Sequence, residues 1–157
     1  MLEQLGRPIS LAPKMAEAYW SALLSAMRPY PGVEELFAWI KSRGLSVGIG
    51  TNMTADRQFS KLERLGLLQQ VDFMVSSEEV SAEKPDRRLF DFCAEKAGCR
   101  PEECAFVGDS LHVDVLGAIR AGMCAVWFCP NPDSDEPVPG ALRIRSMTEL
   151  SDLLASL

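Results

Sequence analysis

The sequence has little positive charge and almost no histidine. Its 157 residues include 16 Lys and Arg against 22 Asp and Glu, which gives a net charge of −6, and the single histidine is His112. We expect no nucleic-acid partner, because binding to phosphate backbones needs clustered Lys and Arg. A zinc site is also disfavoured, since His112 has no second histidine to join it.

Long apolar runs and cysteine pairs are absent too. No apolar run approaches the roughly 20 residues of a membrane span, so we expect no membrane partner. Residues 1–5 do not show the charged and then apolar order of a signal peptide. The five cysteines form no C-x-x-C pair. We therefore expect reduced, mostly buried thiols in a cytoplasmic protein.

Apolar periodicity divides the chain into alternating helices and strands. Helices are predicted over 11–27, 33–43, 54–65, 86–98, 113–121 and from the capping box at 146–149 onward, and strands over 45–50, 73–75, 104–108 and 124–128. Residues expected to face inward include Phe59, Leu62 and Leu65 in one helix, and Leu150, Leu153, Leu154 and Leu157 in the last. Short apolar strands between helices predict an α/β fold with a parallel sheet covered on both faces.

Polar residues follow three of these strands. Thr51 and Asn52 end the first, Lys84 lies in the loop after the second, and Asp109 ends the third, with Asp114 about one helical turn further on. Ligands of such sheets bind beyond the carboxyl ends of the strands, so these residues should share one rim. Two close carboxylates favour a Mg2+ ion between them, and a hydroxyl and an ammonium suit phosphoryl oxygens. Each feature alone also fits a helix cap or a solvated turn; their joint order favours a site.

These motifs resemble those of the haloacid dehalogenase superfamily, most members of which are Mg2+-dependent phosphohydrolases. The matching segments are 49–52 (IGTN), 84–86 (KPD) and 108–114 (GDSLHVD), and 29–36 resembles the return from a helical cap to the core. The resemblance implies a Rossmann-like three-layer α/β/α core over 29–157, with 1–28 as a remnant of the cap. Segments 127–132 and 144–150 look most like the nucleotidase-like branch.

The resemblance also implies roles for the strand-end residues. Thr51 and Asn52 would bind phosphoryl oxygens, and Lys84 would bridge the phosphate and the nucleophile. Asp109 and Asp114 would hold Mg2+ or its waters. The substrate would be a small phosphorylated molecule, such as a nucleotide, hydrolysed through an aspartyl phosphate.

The family's first motif, Asp-x-Asp-x-Thr/Val at the end of an N-terminal strand, is not found. No aspartate precedes Asp56. The tract 133–135 (DSD) is followed by Pro137 where Thr or Val belongs, so we interpret it as part of a solvated, proline-rich loop. The attacking carboxylate and the acid/base are therefore missing, and we predict that this chain is inactive. Truncation of a longer protein is favoured over a degenerate relative, because the other motifs are intact.

The missing strand would be the central one, between the strands predicted at 45–50 and 104–108. Its loss would leave unpaired backbone groups, which are costly when buried and recruit other chains when exposed. Residues 1–10 are a poor substitute strand, since Gly6 and Pro8 interrupt them. We expect either that the flanking strands close and pair, or that a homodimer forms through the gap.

Three other functions compete with a phosphohydrolase. A non-catalytic phosphate-binding, Mg2+-binding or regulatory module would be favoured if the parent gene encodes no Asp-x-Asp upstream. A response-regulator receiver domain needs an acidic pair after an early strand, and no such pair occurs here. A dehalogenase does not need Mg2+, so the pair Asp109 and Asp114 argues against it.

Overall fold

Five short strands alternate with helices in the described part of the chain. The structure is a computed structural model that describes residues 6, 8–131 and 137–155. The strands are β1 Gly48–Thr51, β2 Phe73–Ser76, β3 Ala105–Gly108, β4 Cys124–Phe128 and β5 Ala141–Ile144. The helices are α1 Ala12–Ala26, α2 Val33–Ser42, α3 Ala55–Arg64, α4 Ser77–Val80, α5 Arg87–Ala97, α6 Leu116–Ala121 and α7 Met147–Ala155, with a π-helical turn over Leu111–Val115 before α6. Within the described residues, no helix is both long and apolar enough to cross a membrane.

The predicted order of elements is confirmed, but two elements were not predicted. Helix α4 occupies part of a predicted loop, because the Ser76 hydroxyl accepts the Glu79 N–H and starts a helical turn. Strand β5 comes after the proline-rich stretch of the sequence. It is four residues long, with Ile144 buried and Leu142 exposed. So few residues give no apolar alternation from which a strand could be predicted.

The strands form two parallel sheets. β1 pairs with β2, with Gly50 opposite Val75. The second sheet has the order β3-β4-β5, with Gly108 opposite Trp127. The α/β class with parallel strands is confirmed. The expectation that the strands at 45–50 and 104–108 pair directly is wrong, because within the described residues β1 pairs only with β2 and β3 only with β4.

Two side chains link β1 to its surroundings on the side of β3. The ring of Phe106 on β3 reaches the backbone of Gly50 on β1, where an added Cβ would lie 3.1 Å from the ring. The Lys84 ammonium donates to the Gly50 carbonyl at 2.9 Å. The two strands thus communicate through side chains, and not through the backbone hydrogen bonds that form at a separation of about 4.8 Å. A homodimer through this interval stays a prediction, which sedimentation at several concentrations would check.

Helices cover both faces of the three-stranded sheet. Along β4, Ala125 faces a core that α5 and α6 complete, whereas Val126 and Phe128 face the opposite core, beside α2 and α7. This alternation follows from the two-residue period of a strand. The predicted three-layer α/β/α arrangement is therefore confirmed.

Helix α1 contributes little to either core. None of its residues is buried, and the predicted inward residue Tyr19 is 68% exposed. The helix lies against α3: the Arg57 guanidinium is 4.8 Å from the centre of the Trp20 ring, and Arg64 donates to the Ser25 carbonyl at 3.3 Å. The division into a cap remnant at 1–28 and a core at 29–157 stays a prediction.

The predicted inward face of α3 is wrong at Phe59. This ring is 46% exposed, whereas Gln58 and Leu62 are buried. Gln58 takes the inward position because its amide oxygen lies 3.4 Å from the Thr51 hydroxyl, which donates to it. In α7, Leu150 is buried as predicted and the two following leucines are half-buried. Leu157, the tract 133–135 and most of residues 1–7 lie outside the described residues.

The core around α5 generates a stability prediction. Phe90 is fully buried and packs edge-on against Phe106, with ring centres 4.8 Å apart. Phe90→Ala should lower the free energy of unfolding by about 3–5 kcal/mol, because a buried ring is replaced by a cavity. Phe59→Ala removes the same atoms from an exposed site and should cost about 1 kcal/mol or less. Urea unfolding of both variants measures the difference, and equal losses would contradict this account of the core.

Candidate functional site

The end of β3 places Asp114 directly against the backbone. A Cβ at Gly108 would overlap the Asp114 side chain, so only glycine allows this approach. The Asp114 Oδ2 atom accepts the Ser110 N–H at 3.1 Å. The Ser110 carbonyl accepts the N–H of Val115 at 3.2 Å, five residues on. That bond makes the π-helical turn, a feature often found at functional sites, and it turns Asp114 back toward the strand end.

The positive group beside Asp114 is the Lys84 ammonium. Its Nζ lies 2.7 Å from Asp114 Oδ1, and the two side chains are only 13% and 8% exposed. Nζ also donates to the Gly50 carbonyl at the end of β1. An ion pair removed from water persists only when further hydrogen bonds complete it. Here the Gly50 carbonyl and the Ser110 N–H supply those bonds.

Asn52 binds the main chain of Lys84. Its Nδ2 donates to the Lys84 carbonyl at 3.0 Å, and its Oδ1 accepts the Lys84 N–H at 2.7 Å. The neighbouring Thr51 hydroxyl accepts the Met53 N–H at 3.1 Å and donates to Gln58. The end of β1 is therefore joined to the loop after β2 through both the main chain and the ammonium of Lys84.

Of the strand-end residues, the structure brings together Asn52, Lys84 and Asp114: Asn52 binds Lys84, and Lys84 binds Asp114. Thr51 lies between Gly50 and Asn52, both of which bind Lys84. Asp109 follows Gly108 at the end of β3; its side chain is exposed, and its carbonyl accepts the indole N–H of Trp127 at 3.1 Å. The predicted roles in phosphate and metal binding stay predictions.

Two carboxylates make up the candidate metal-binding set. Asp109 is exposed, while each Asp114 oxygen already accepts one hydrogen bond. Among the described residues, no group of three or more His, Cys, Asp or Glu side chains is placed to hold a metal ion. Mg2+ commonly uses one or two carboxylates and keeps its waters, and a carboxylate oxygen can take a second partner. The residues thus fit Mg2+ in chemical type, as a partial set of ligands.

Two other ionisable groups near the rim are not available for chemistry, one because it is protonated at neutral pH and the other because it is engaged by its neighbours. Burial raises the pKa of the Cys93 thiol, which packs near Gly50, to about 11, so the thiol stays protonated and is a poor nucleophile. A hydrogen bond from the Arg88 side chain holds the pKa of Asp86 at about 2. Asp86 also accepts the Arg88 N–H at 2.9 Å and so caps α5. Asp86, two residues after Lys84, therefore has a structural role at the start of α5.

The sequence did not point to Gln58, Phe106 or Trp127. Gln58 stands four residues before the buried Leu62, and that helical spacing could have marked it as an inward polar residue. Trp127 lies opposite Gly108 in the strand register, and Phe106 lies between the sheets. Neither position can be inferred without knowing which strands pair.

The buried ion pair generates a second stability prediction. Asp114→Asn should lower the free energy of unfolding by about 3 kcal/mol or more, because the Lys84 ammonium loses its counter-charge away from water. Asp91→Asn is the matched control, since Asp91 pairs with Arg87 on the exposed surface of α5; it should change stability by about 0.5 kcal/mol or less. Chemical unfolding tests both. A loss in Asp114→Asn as small as in the control would show that the pair adds nothing to the fold.

Known phosphatases are similar to this chain in sequence. A ribulose-1,5-bisphosphate 5-phosphatase of Halopiger xanaduensis is 38% identical over 121 residues, covering 77% of this chain and 51% of that protein. A phosphoserine phosphatase of Thermus thermophilus is 36% identical over 151 residues, covering 95% and 60%. A pyrimidine 5'-nucleotidase of Escherichia coli is 34% identical over 144 residues, covering 90% and 63%. The chain thus spans between half and two thirds of the length of these relatives.

Solved structures agree with the fold. A phosphatase of Thermococcus onnurineus superimposes with a TM-score of 0.72 at 36% identity, covering 80% of this chain and 57% of that one. An L-2-haloacid dehalogenase of Xanthobacter autotrophicus gives a TM-score of 0.79 at 21% identity, covering 99% and 71%; at that identity it supports the fold alone. The sequence model described as haloacid dehalogenase-like hydrolase matches residues 1–128. The chain belongs to the haloacid dehalogenase-like hydrolase family.

Proposed function

We propose that this chain carries the phosphate-binding part of the active site of an Mg2+-dependent phosphohydrolase for small phosphomonoesters, nucleotides among them. The relatives named above act, by their names, on a sugar bisphosphate, phosphoserine and a pyrimidine nucleotide. Their shared substrate feature is the phosphate ester. One observation carries the proposal: a largely buried ammonium, that of Lys84, is held at the carboxyl ends of β1 and β3.

The donors on this rim suit a phosphoryl group. An ammonium has three N–H groups, and in the described part of the chain Gly50 and Asp114 take two of them. The third can meet a phosphoryl oxygen. The Thr51 hydroxyl, whose bond to Gln58 is long at 3.4 Å, can turn to a second oxygen. A fixed positive charge placed in advance stabilises the charge that develops as the ester bond breaks.

Asp109 and Asp114 are the residues that would hold Mg2+. When bound, the ion would neutralise negative charge on the phosphoryl oxygens. Asp114 has a second task, because it also holds the Lys84 ammonium in place. The exposed Asp109 therefore offers the carboxylate that is free to take a cation.

The attacking carboxylate is proposed to come from outside these 157 residues. Near the rim, Asp86 caps a helix and Asp114 is ion-paired, so neither is available to attack phosphorus. The resemblance assigns that step to an Asp-x-Asp segment, and the first aspartate in this sequence is Asp56. A strand lying between β1 and β3 would bring such a residue to the same rim.

We also propose a cytoplasmic location. All five cysteines are free thiols, which is typical of proteins in a reducing compartment.

A non-catalytic phosphate-binding or regulatory module is the second candidate. The specific observation in its favour is the engagement of both Asp114 oxygens, which leaves one exposed carboxylate for a metal. One experiment distinguishes the two candidates: the chain is extended with its own upstream codons and assayed for phosphatase activity. A phosphohydrolase should show turnover if an Asp-x-Asp is encoded in the extension. A non-catalytic module should bind phosphate without turnover in every extended form.

We predict that the 157-residue chain alone hydrolyses no p-nitrophenyl phosphate in the presence of Mg2+. Its rate should equal that of Asp109→Asn, because binding groups without a nucleophile cannot form the covalent intermediate. The assay compares the two proteins at equal concentration. Turnover that depends on Asp109 would contradict the proposed origin of the nucleophile.

We also predict that Mg2+ binds weakly and competes with Lys84 for Asp114. Calorimetry should give a dissociation constant well above the low-micromolar range, since Mg2+ gains little from two protein ligands. Lys84→Met should tighten binding, because it frees one Asp114 oxygen. Lys96→Met, which removes an ammonium bound to Glu79 instead, is the matched control and should leave the affinity unchanged. Tight binding by the unaltered chain, or no effect of Lys84→Met, would contradict this competition.

A further inference from the structure

The side-chain amide of Asn52 holds Lys84 at two points. A planar amide can accept through its oxygen and donate through its nitrogen, and Asn52 does both toward one residue. The bond lengths of 2.7 Å to the Lys84 N–H and 3.0 Å to its carbonyl are those of well-formed hydrogen bonds. Among the twenty side chains, only Asn and Gln offer this pair of groups.

The contact matters because Lys84 lies outside any helix or strand. The residue after α4, Ser81, has a left-handed conformation with φ of 53° and ends that helix. Pro85 follows Lys84 and has no N–H to donate. The Lys84 main chain is therefore held by Asn52 at the end of β1 and by the surrounding turn, in which the Glu83 carbonyl accepts the Asp86 N–H at 2.8 Å.

The same residue directs the ammonium. From its main-chain position, the Lys84 side chain reaches the Gly50 carbonyl on β1 and Asp114 after β3. Asn52 and Gly50 are two residues apart on the chain, so main chain and ammonium are held by the same strand end. Displacement of the Lys84 main chain would carry the ammonium away from Asp114.

We propose that Asn52 is a positioning residue, whose side chain acts on the site through the main chain of Lys84. This differs from the role in phosphate binding that the resemblance implies for Asn52. In the structure, Oδ1 already accepts the Lys84 N–H, and Nδ2 commits one of its two N–H groups to the Lys84 carbonyl. The consequence for phosphate rests on the proposed function, whereas the hold on Lys84 does not.

The first experiment measures how accessible the Lys84 ammonium is. Trace acetylation with acetic anhydride, followed by mass spectrometry, gives the rate at Lys84 relative to the exposed Lys14. In Asn52→Ala the relative rate should rise about tenfold or more, since two hydrogen bonds that hold Lys84 are lost. Asn52→Asp keeps the acceptor for the Lys84 N–H and should show a smaller rise. Gln69→Ala removes an exposed amide far along the chain and should show none.

The second experiment titrates inorganic phosphate by calorimetry into the chain, Asn52→Ala and Lys84→Met. Weaker binding in both variants, together with faster acetylation of Lys84 in Asn52→Ala, supports the inference. Weaker binding in Asn52→Ala with unchanged acetylation would mean direct contact with phosphate and would overturn it. Unchanged acetylation in Asn52→Ala and Asn52→Asp would overturn it as well.

The two proposals can fail separately. If the unaltered chain binds no phosphate but acetylation of Lys84 responds to Asn52, then Asn52 positions Lys84 and the proposed function is wrong. If Asn52→Ala does not fold, as judged by circular dichroism, the acetylation rate of Lys84 is measured in Asn52→Asp and Asn52→Ser instead. An unchanged rate in both of these would then overturn the inference.

Discussion

The ion pair between Lys84 and Asp114 joins the two sheets of this protein. Lys84 follows β2 and Asp114 follows β3, and the Lys84 ammonium also binds Gly50 at the end of β1. Because β1 and β3 do not pair with each other, their carboxyl ends are connected by side chains. A charge pair with little access to water persists only when further hydrogen bonds support it, and here the Gly50 carbonyl and the Ser110 N–H supply such bonds.

The same residues therefore carry the fold and the candidate chemistry. Asp114 can sit against Gly108 only because that residue has no side chain, and in that position it pairs with Lys84. Under the proposed function, a cation at Asp114 would compete with the Lys84 ammonium for the carboxylate oxygens. Metal binding would then be coupled to the ion pair that joins the two sheets.

Relatives of the family show how such a core is used. Three that share 34 to 38% identity with this chain have names that specify different phosphate esters, and each extends well beyond it. Such a range of names agrees with the general rule that a fold by itself does not set function. Helix α1 has no buried residue, and its Tyr19 is 68% exposed.

Local signals in the sequence determined the order of elements, the α/β class and the group of residues at the strand ends. Helical spacing, short apolar runs and glycines act within a few residues, so they can be read without the fold. Only the tertiary structure decided that β1 and β3 stay unpaired, that Phe106 and Lys84 lie between them, and that Asn52 binds the Lys84 main chain. These contacts join residues distant in sequence, and they depend on strand pairing and side-chain direction, for which neighbouring residues carry no signal.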